Sequence, residues 1–191
     1  MTPYAQLPNQ IIYNGEKIVL TLYYDRVLEA MDVLRDDTFS TEEKLDYTLY
    51  LLAVDAPCEV ALLRQILELI FPGQKPADRV RYLDIKQDWP LIYAGFWQAY
   101  GLDLYAERGK LHYLKFRALL QGLPKSTRLA DVIRIRTMPI PKPTPHNAKE
   151  RAEIIRLKHE FRIRYSEEEQ EQNFQNGLRR LAQFLTLYAE R

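Results

Sequence analysis

The chain has 191 residues, enough for one compact domain or one domain with an appended segment, and its 47% apolar content is sufficient for a core. Twenty-seven Lys and Arg against twenty-six Asp and Glu argue against a tail or arm that works by bulk charge. A single cysteine, Cys58, excludes an internal disulfide and a cysteine-rich zinc site; with no membrane-length apolar run and no signal-peptide pattern, the expectation is a soluble, intracellular, folded chain.

Seven glycines and many Leu, Ala, Glu, Arg and Gln predict a mainly α fold, a multi-helix bundle. The β signal comes first: Ile11 to Val19 contains Asn14-Gly15, which suits the two positive-φ positions of a type I′ turn and predicts a small N-terminal hairpin. From Leu20 the residues Tyr24, Val27, Met31 and Leu34 follow at helical steps, ending near Asp36-Asp37. Ser40 to Glu43 has capping-box spacing before a second helix with Leu45, Leu49 and Leu52. Asp55 and Pro57 open a third, with Val60, Leu63, Leu67 and Ile70 on one face and Pro72-Gly73 as its stop. A polar connection from Gln74 to Tyr82 leads to an aromatic helix over Asp88 to Tyr100, stopped by Gly101. Helices over Leu111–Gln121 and Thr127–Thr137 follow. Met138 to Pro145 then places four prolines in eight residues, an extended connection that forbids helix. This boundary divides the chain into a helical domain over 1–145 and a C-terminal helical segment over 146–191. In the latter, Asn147 to Glu150 and Ser166 to Glu169 have cap spacing, and Phe174, Leu178, Leu181, Leu185 and Tyr188 form an apolar stripe.

The chemistry of a catalytic or metal site is not visible. His112, His146 and His159 lie in different elements without ligand spacing, and there is no nucleophile elbow, phosphate loop or dinucleotide fingerprint. Cys58, in the first turn of a predicted helix, reads as a thiol activated by the helix dipole or, the favoured reading, as a small apolar interface residue, and the pairs Asp36-Asp37 and Glu42-Glu43 read as caps. No catalytic, cofactor or metal residues are assigned, and the chain is expected not to be an enzyme.

Charge is distributed unevenly. Residues 1–100 hold nine Lys and Arg against fifteen Asp and Glu, and residues 101–191 eighteen against eleven. The stretch 108–164, with Arg134 and Arg136, holds fifteen basic and four acidic side chains. It reads as a surface for nucleic acid or an acidic protein, or as a solvated face that pairs within the fold or with a neighbouring subunit. The second is favoured, because no nucleic-acid module organises the basic residues. Trp89, Tyr93, Phe96, Trp97 and Tyr100 likewise read as a binding groove or, more commonly for such stripes, as core.

Three segments carry a family resemblance: Asp88 to Leu104 (DWPLIYAGFWQAYGLDL), Leu111 to Pro124 (LHYLKFRALLQGLP) and Ile133 to Lys142 (IRIRTMPIPK), with Tyr13-Asn14-Gly15 upstream and Asn147-Ala148-Lys149-Glu150 downstream. In this order they resemble the bacteriophage gene-product-fifteen family of siphophages and prophages, over about residues 10–165, leaving Ser166 to Arg191 as an addition. The resemblance implies a tail-assembly role, a chaperone whose client is the tape-measure protein, acting in the host cytoplasm alongside other phage tail proteins. It supplies no catalytic residues. The alternatives are a tail or head-tail connector component retained in the virion, and nucleic-acid binding through 108–164. The candidate protein-binding residues are the five aromatics above, Arg134, Arg136, and the stripe from Phe174 to Tyr188. Homo-oligomerisation is open; a membrane partner is not expected.

Overall fold

A computed structural model describes residues 6–72 and 82–164. The connection after Gln74, the Ser166 cap and the stripe of Phe174, Leu178, Leu181, Leu185 and Tyr188 lie outside the described residues. The protein is mainly α, with seven helices and one two-stranded antiparallel sheet among the described residues. It forms two compact units, Met1–Val80 with Pro90–Asp131, and Arg81–Trp89 with Val132–Arg191. The proline run from Met138 to Pro145 lies inside the second unit.

The first unit opens on β1 (Gln10–Tyr13) and β2 (Glu16–Val19), paired with Ile11 opposite Ile18. Asn14 and Gly15 take φ of 51° and 84°, the left-handed pair that a type I′ turn requires. Alternation turns Tyr13 and Ile18 inward and leaves Ile12 and Val19 exposed. The helix expected from Leu20 begins one turn later, as α1 (Tyr24–Arg35). Residues 20–23 are instead extended, because their backbone has better partners than a helical turn: Leu20 N–H donates to the Asn9 carbonyl, Thr21 N–H to that of Leu52, and Tyr23 bridges to His112.

The capping box forms as expected at α2 (Thr41–Leu52): the Glu43 N–H donates to Ser40 Oγ, and the Ser40 N–H donates to Glu43 at 2.8 Å. This accepted backbone bond holds the Glu43 carboxyl below its ordinary pKa. Helix α3 (Val60–Ile70) starts beyond Pro57, because Asp55 sits at a φ of 48° and Glu59 is extended, its carboxylate accepting from the Tyr13 hydroxyl. Helices α1, α2 and α3 pack in sequence, and α1 also packs on α5 (Tyr113–Gln121).

The core of this unit is aromatic. Phe116 of α5 stacks between Tyr24 of α1, with ring centroids 5.0 Å apart, and Phe96 of α4 (Trp89–Tyr100), at 5.3 Å. The Tyr24 hydroxyl donates to the Leu104 carbonyl at 2.5 Å, and burial pushes its pKa up to about 12. Gly101, at a φ of 62°, ends α4 where expected.

The second unit contains most of α6 (Arg128–Thr137), the extended proline connection and α7 (Ala148–Glu160). Asn147 does not cap α7 with its side chain as its spacing suggested. Its Oδ1 accepts from Thr144 N–H and its Nδ2 donates to the Lys142 carbonyl, so the amide holds the end of the proline connection instead.

Candidate interaction surfaces

The aromatic helix is divided by the helical period. Ile92 and Phe96 are fully buried, while Trp97 is 56% and Tyr100 38% exposed. Tyr93, half-buried, rests against the exposed Tyr105 with ring centroids 5.3 Å apart, and desolvation raises its pKa. The Tyr100 hydroxyl donates to the Leu119 carbonyl, tying it to α5. Trp89, half-buried, opens the helix. Phe96 therefore serves the core, and Trp97 faces solvent.

The basic residues divide in the same way. Arg134 is exposed, whereas the Arg136 side chain is only 7% exposed. Its guanidinium grips the buried Asp88 carboxylate through two bonds, at 2.6 and 2.8 Å, and also donates to the carbonyls of Phe161 and Tyr82. Arg136 is thus committed to the fold. Other members of the 108–164 set are committed similarly. Arg117 donates to the Ile70 carbonyl, Lys158 to those of Ile135 and Arg136, and Arg151 to that of Pro141. Arg156 pairs with Glu153 and Glu160 on α7, which raises its own pKa and lowers that of Glu153. Much of the basic density is therefore engaged in local structure.

Two surfaces not singled out from the sequence are present on the first unit. One is an open groove of about 520 Å³ between α1 and α3, lined by the apolar Met31, Leu34, Val60, Leu63, Leu67 and Phe71 and by the charged Arg35, Arg64 and Glu68. The sequence signal for it lies within the apolar stripes of α1 and α3. These stripes are shared: Tyr24, Val27, Leu63 and Ile70 are buried with Ala30, Val33, Leu62 and Ile66 of the adjacent row, while Met31, Leu34, Val60 and Leu67 line the groove. Both helices are apolar over a wide arc, so spacing alone does not choose the row.

The other is a ladder of exposed rings. Phe39, Tyr47 and Tyr50 stack nearly parallel, with centroids 6.4 and 6.1 Å apart, and Tyr50 is 71% exposed. The Tyr47 hydroxyl donates to Glu29, whose carboxylate raises the Tyr47 pKa. The signal was two tyrosines on the polar face of α2, opposite Leu49 and Leu52, beside Glu42 and Asp46.

Among the described residues no three His, Cys, Asp or Glu side chains converge as a metal site, and no helix is long and apolar enough to cross a membrane. Comparison with curated proteins and with solved structures finds no match. The family profile described as Bacteriophage Gp15 protein, however, matches residues 5–163. That span takes in the hairpin, all seven helices and both surfaces of the first unit, and the chain belongs to the bacteriophage Gp15 family.

Proposed function

We propose that this protein is a non-enzymatic tail-assembly chaperone that acts in the host cytoplasm and holds helical segments of the tape-measure protein until tail-tube subunits cover them. Family membership supports a phage structural or assembly protein. The single observation that carries the finer reading is the α1–α3 groove. Its α3 wall presents Val60, Leu63 and Leu67, followed by Phe71 at the C-cap, at three- and four-residue steps, the spacing that accepts the apolar stripe of a partner helix. An uncovered amphipathic helix needs such a groove to stay soluble, and a helix of about three turns matches the ~16 Å length of that ridge.

Co-expression with the cognate tape-measure protein is expected to raise its solubility and to co-purify both. Leu67→Arg, at a half-buried position, is expected to abolish both effects while leaving the helical content unchanged. Failure of the wild type in both assays, with each protein folded, would overturn the chaperone reading. Mass spectrometry of purified particles distinguishes it from a structural role: a chaperone is absent from mature tails, whereas a connector or tail subunit is present in fixed stoichiometry.

A further inference from the structure

We infer that the exposed ring ladder on α2 is a contact surface for a second copy of this chain, seated on the cationic surface of that copy's second unit. The inference does not depend on the tape-measure reading, because its evidence is the complementarity of two surfaces within one sequence.

The ladder has the character of an interface. Phe39, Tyr47 and Tyr50 present three large rings in one row, all more than a third exposed, and each ring leaves apolar area in water. They are pre-organised by mutual stacking and by the Tyr47–Glu29 bond, so little side-chain entropy is lost when a partner lands on them. Tyrosine is among the residues that most often carry binding energy at interfaces.

The sign of the surroundings selects the occupant. Residues 29–50 hold seven acidic side chains and two basic ones, with Glu42, Asp46 and Tyr50 one turn apart along an exposed row of α2. A cationic partner gains both from these carboxylates and from placing Arg or Lys over the ring faces. The same chain supplies such a surface. Of the nine basic side chains in residues 132–164, Arg136, Arg151, Arg156 and Lys158 serve local structure, while Lys142, Lys149, Arg162 and Arg164 are exposed and carry the cationic surface. Apolar area lies among them, with Ile140 45% and Ile155 47% exposed. On helix α7, Lys149, Glu153, Ile155, Arg156, His159 and Glu160 are exposed. Each contact joins two unlike patches. Made twice about a two-fold axis it closes an isologous dimer; made once per copy, head to tail, it is heterologous and gives a ring or chain.

Sedimentation velocity of the full chain tests this. At roughly 0.05 M salt the wild type is expected to associate, and at roughly 0.5 M to shift toward monomer as the charges are screened. Tyr50→Ala is expected to weaken association about tenfold, the size of a modest interface hot spot. The double variants Glu42→Lys/Asp46→Lys and Lys149→Glu/Arg162→Glu are each expected to be monomeric alone and to associate when mixed, since the mixture restores opposite signs across the contact. All of these positions are exposed and lie outside the capping box. Circular dichroism checks that each variant is folded, and Tyr50→Ala decides alone if a double variant is not. A wild type that stays monomeric at low salt up to about 100 μM would overturn the inference. So would association that survives both double variants, or a mixture that remains monomeric.

Discussion

The two units of this protein are held by different physics. The first is fastened by apolar packing: Phe116 between Tyr24 and Phe96, with fully buried Leu52, Leu62, Ile66 and Ile92. The second buries little, chiefly Val132, Ile135 and Ile163 among its described residues, and no residue of α7 is fully buried. Polar links take over there. Asp88 accepts from the Asp84 N–H as well as from Arg136, and Lys158 satisfies the last carbonyls of α6. The Gln87 amide bonds both the Arg162 carbonyl and the Arg164 N–H, as a peptide group in a strand would. A small unit with little apolar area to bury gains order from directional bonds, and depends more on each of them.

That contrast is broken most severely at Arg136. Arg136→Met leaves the Asp88 carboxylate buried without its partner, an expected loss of about 3–5 kcal/mol. Hydrogen exchange is expected to show it as lost protection over 82–89 and 132–164, with 6–72 retaining most of its own. Adding Asp88→Leu removes the stranded charge and is expected to recover a large part of the loss. Equal loss of protection in both units would show that they are not distinct in stability.

The matching test in the first unit is Phe116→Leu. It keeps an apolar side chain but removes the central ring of the stack, and is expected to cost about 1–2 kcal/mol by urea denaturation. The exchange pattern should be the reverse of the Arg136 variant, with the first unit losing protection.

The same contrast explains what the sequence revealed. Local signals were legible: the Asn14-Gly15 turn, the Ser40 box and the Gly101 stop each depend on residues within four positions of one another. The burial of Phe96 also followed the commoner reading of an aromatic stripe. Long-range polar pairing was not legible. Asp88 and Arg136 lie 48 positions apart, and nothing local marks Arg136 as different from Arg134 two residues earlier. Helix faces were legible only in part: each apolar stripe of α1 and α3 is shared between core and groove, because both helices are apolar over a wide arc. Asn147 had the right spacing for a cap, but the proline connection competed successfully for its amide.

A smaller effect of opposite sign is expected at Thr48. Its Oγ1 is a buried side-chain atom with no hydrogen-bond partner, in the unit that otherwise relies on apolar packing. Thr48→Val keeps the β-branched shape and removes the desolvated hydroxyl, for an expected gain of about 1 kcal/mol. A loss instead would mean that the hydroxyl is satisfied in solution, and would weaken the distinction between an apolar unit and a polar one.

The finest test is where the first unit itself relies on a directional polar group. His112 caps α5: its Nδ1 accepts from the Leu114 N–H at 3.1 Å, so the ring is neutral and its Nε2 donates to the Pro8 carbonyl at 3.0 Å. Protonation would convert the capping acceptor into a donor. Burial, the main cause, holds the His112 pKa below 6.5, with Lys115 adding to the shift and the Pro8 carbonyl opposing it. Because the folded-state value is the lower one, the contribution of His112 is complete above the unfolded pKa of 6.5 and is lost as pH falls through the folded value. His112→Asn supplies another capping oxygen that does not titrate. Without the bond to Pro8 its urea midpoint is expected to lie below the wild type at pH 7, and to fall less than the wild type's on going to pH 5, about one and a half units below the ordinary imidazole value. Parallel acid limbs in the two proteins would show that the histidine cap is protonated without cost, and that the first unit is held by its apolar core even at this polar join.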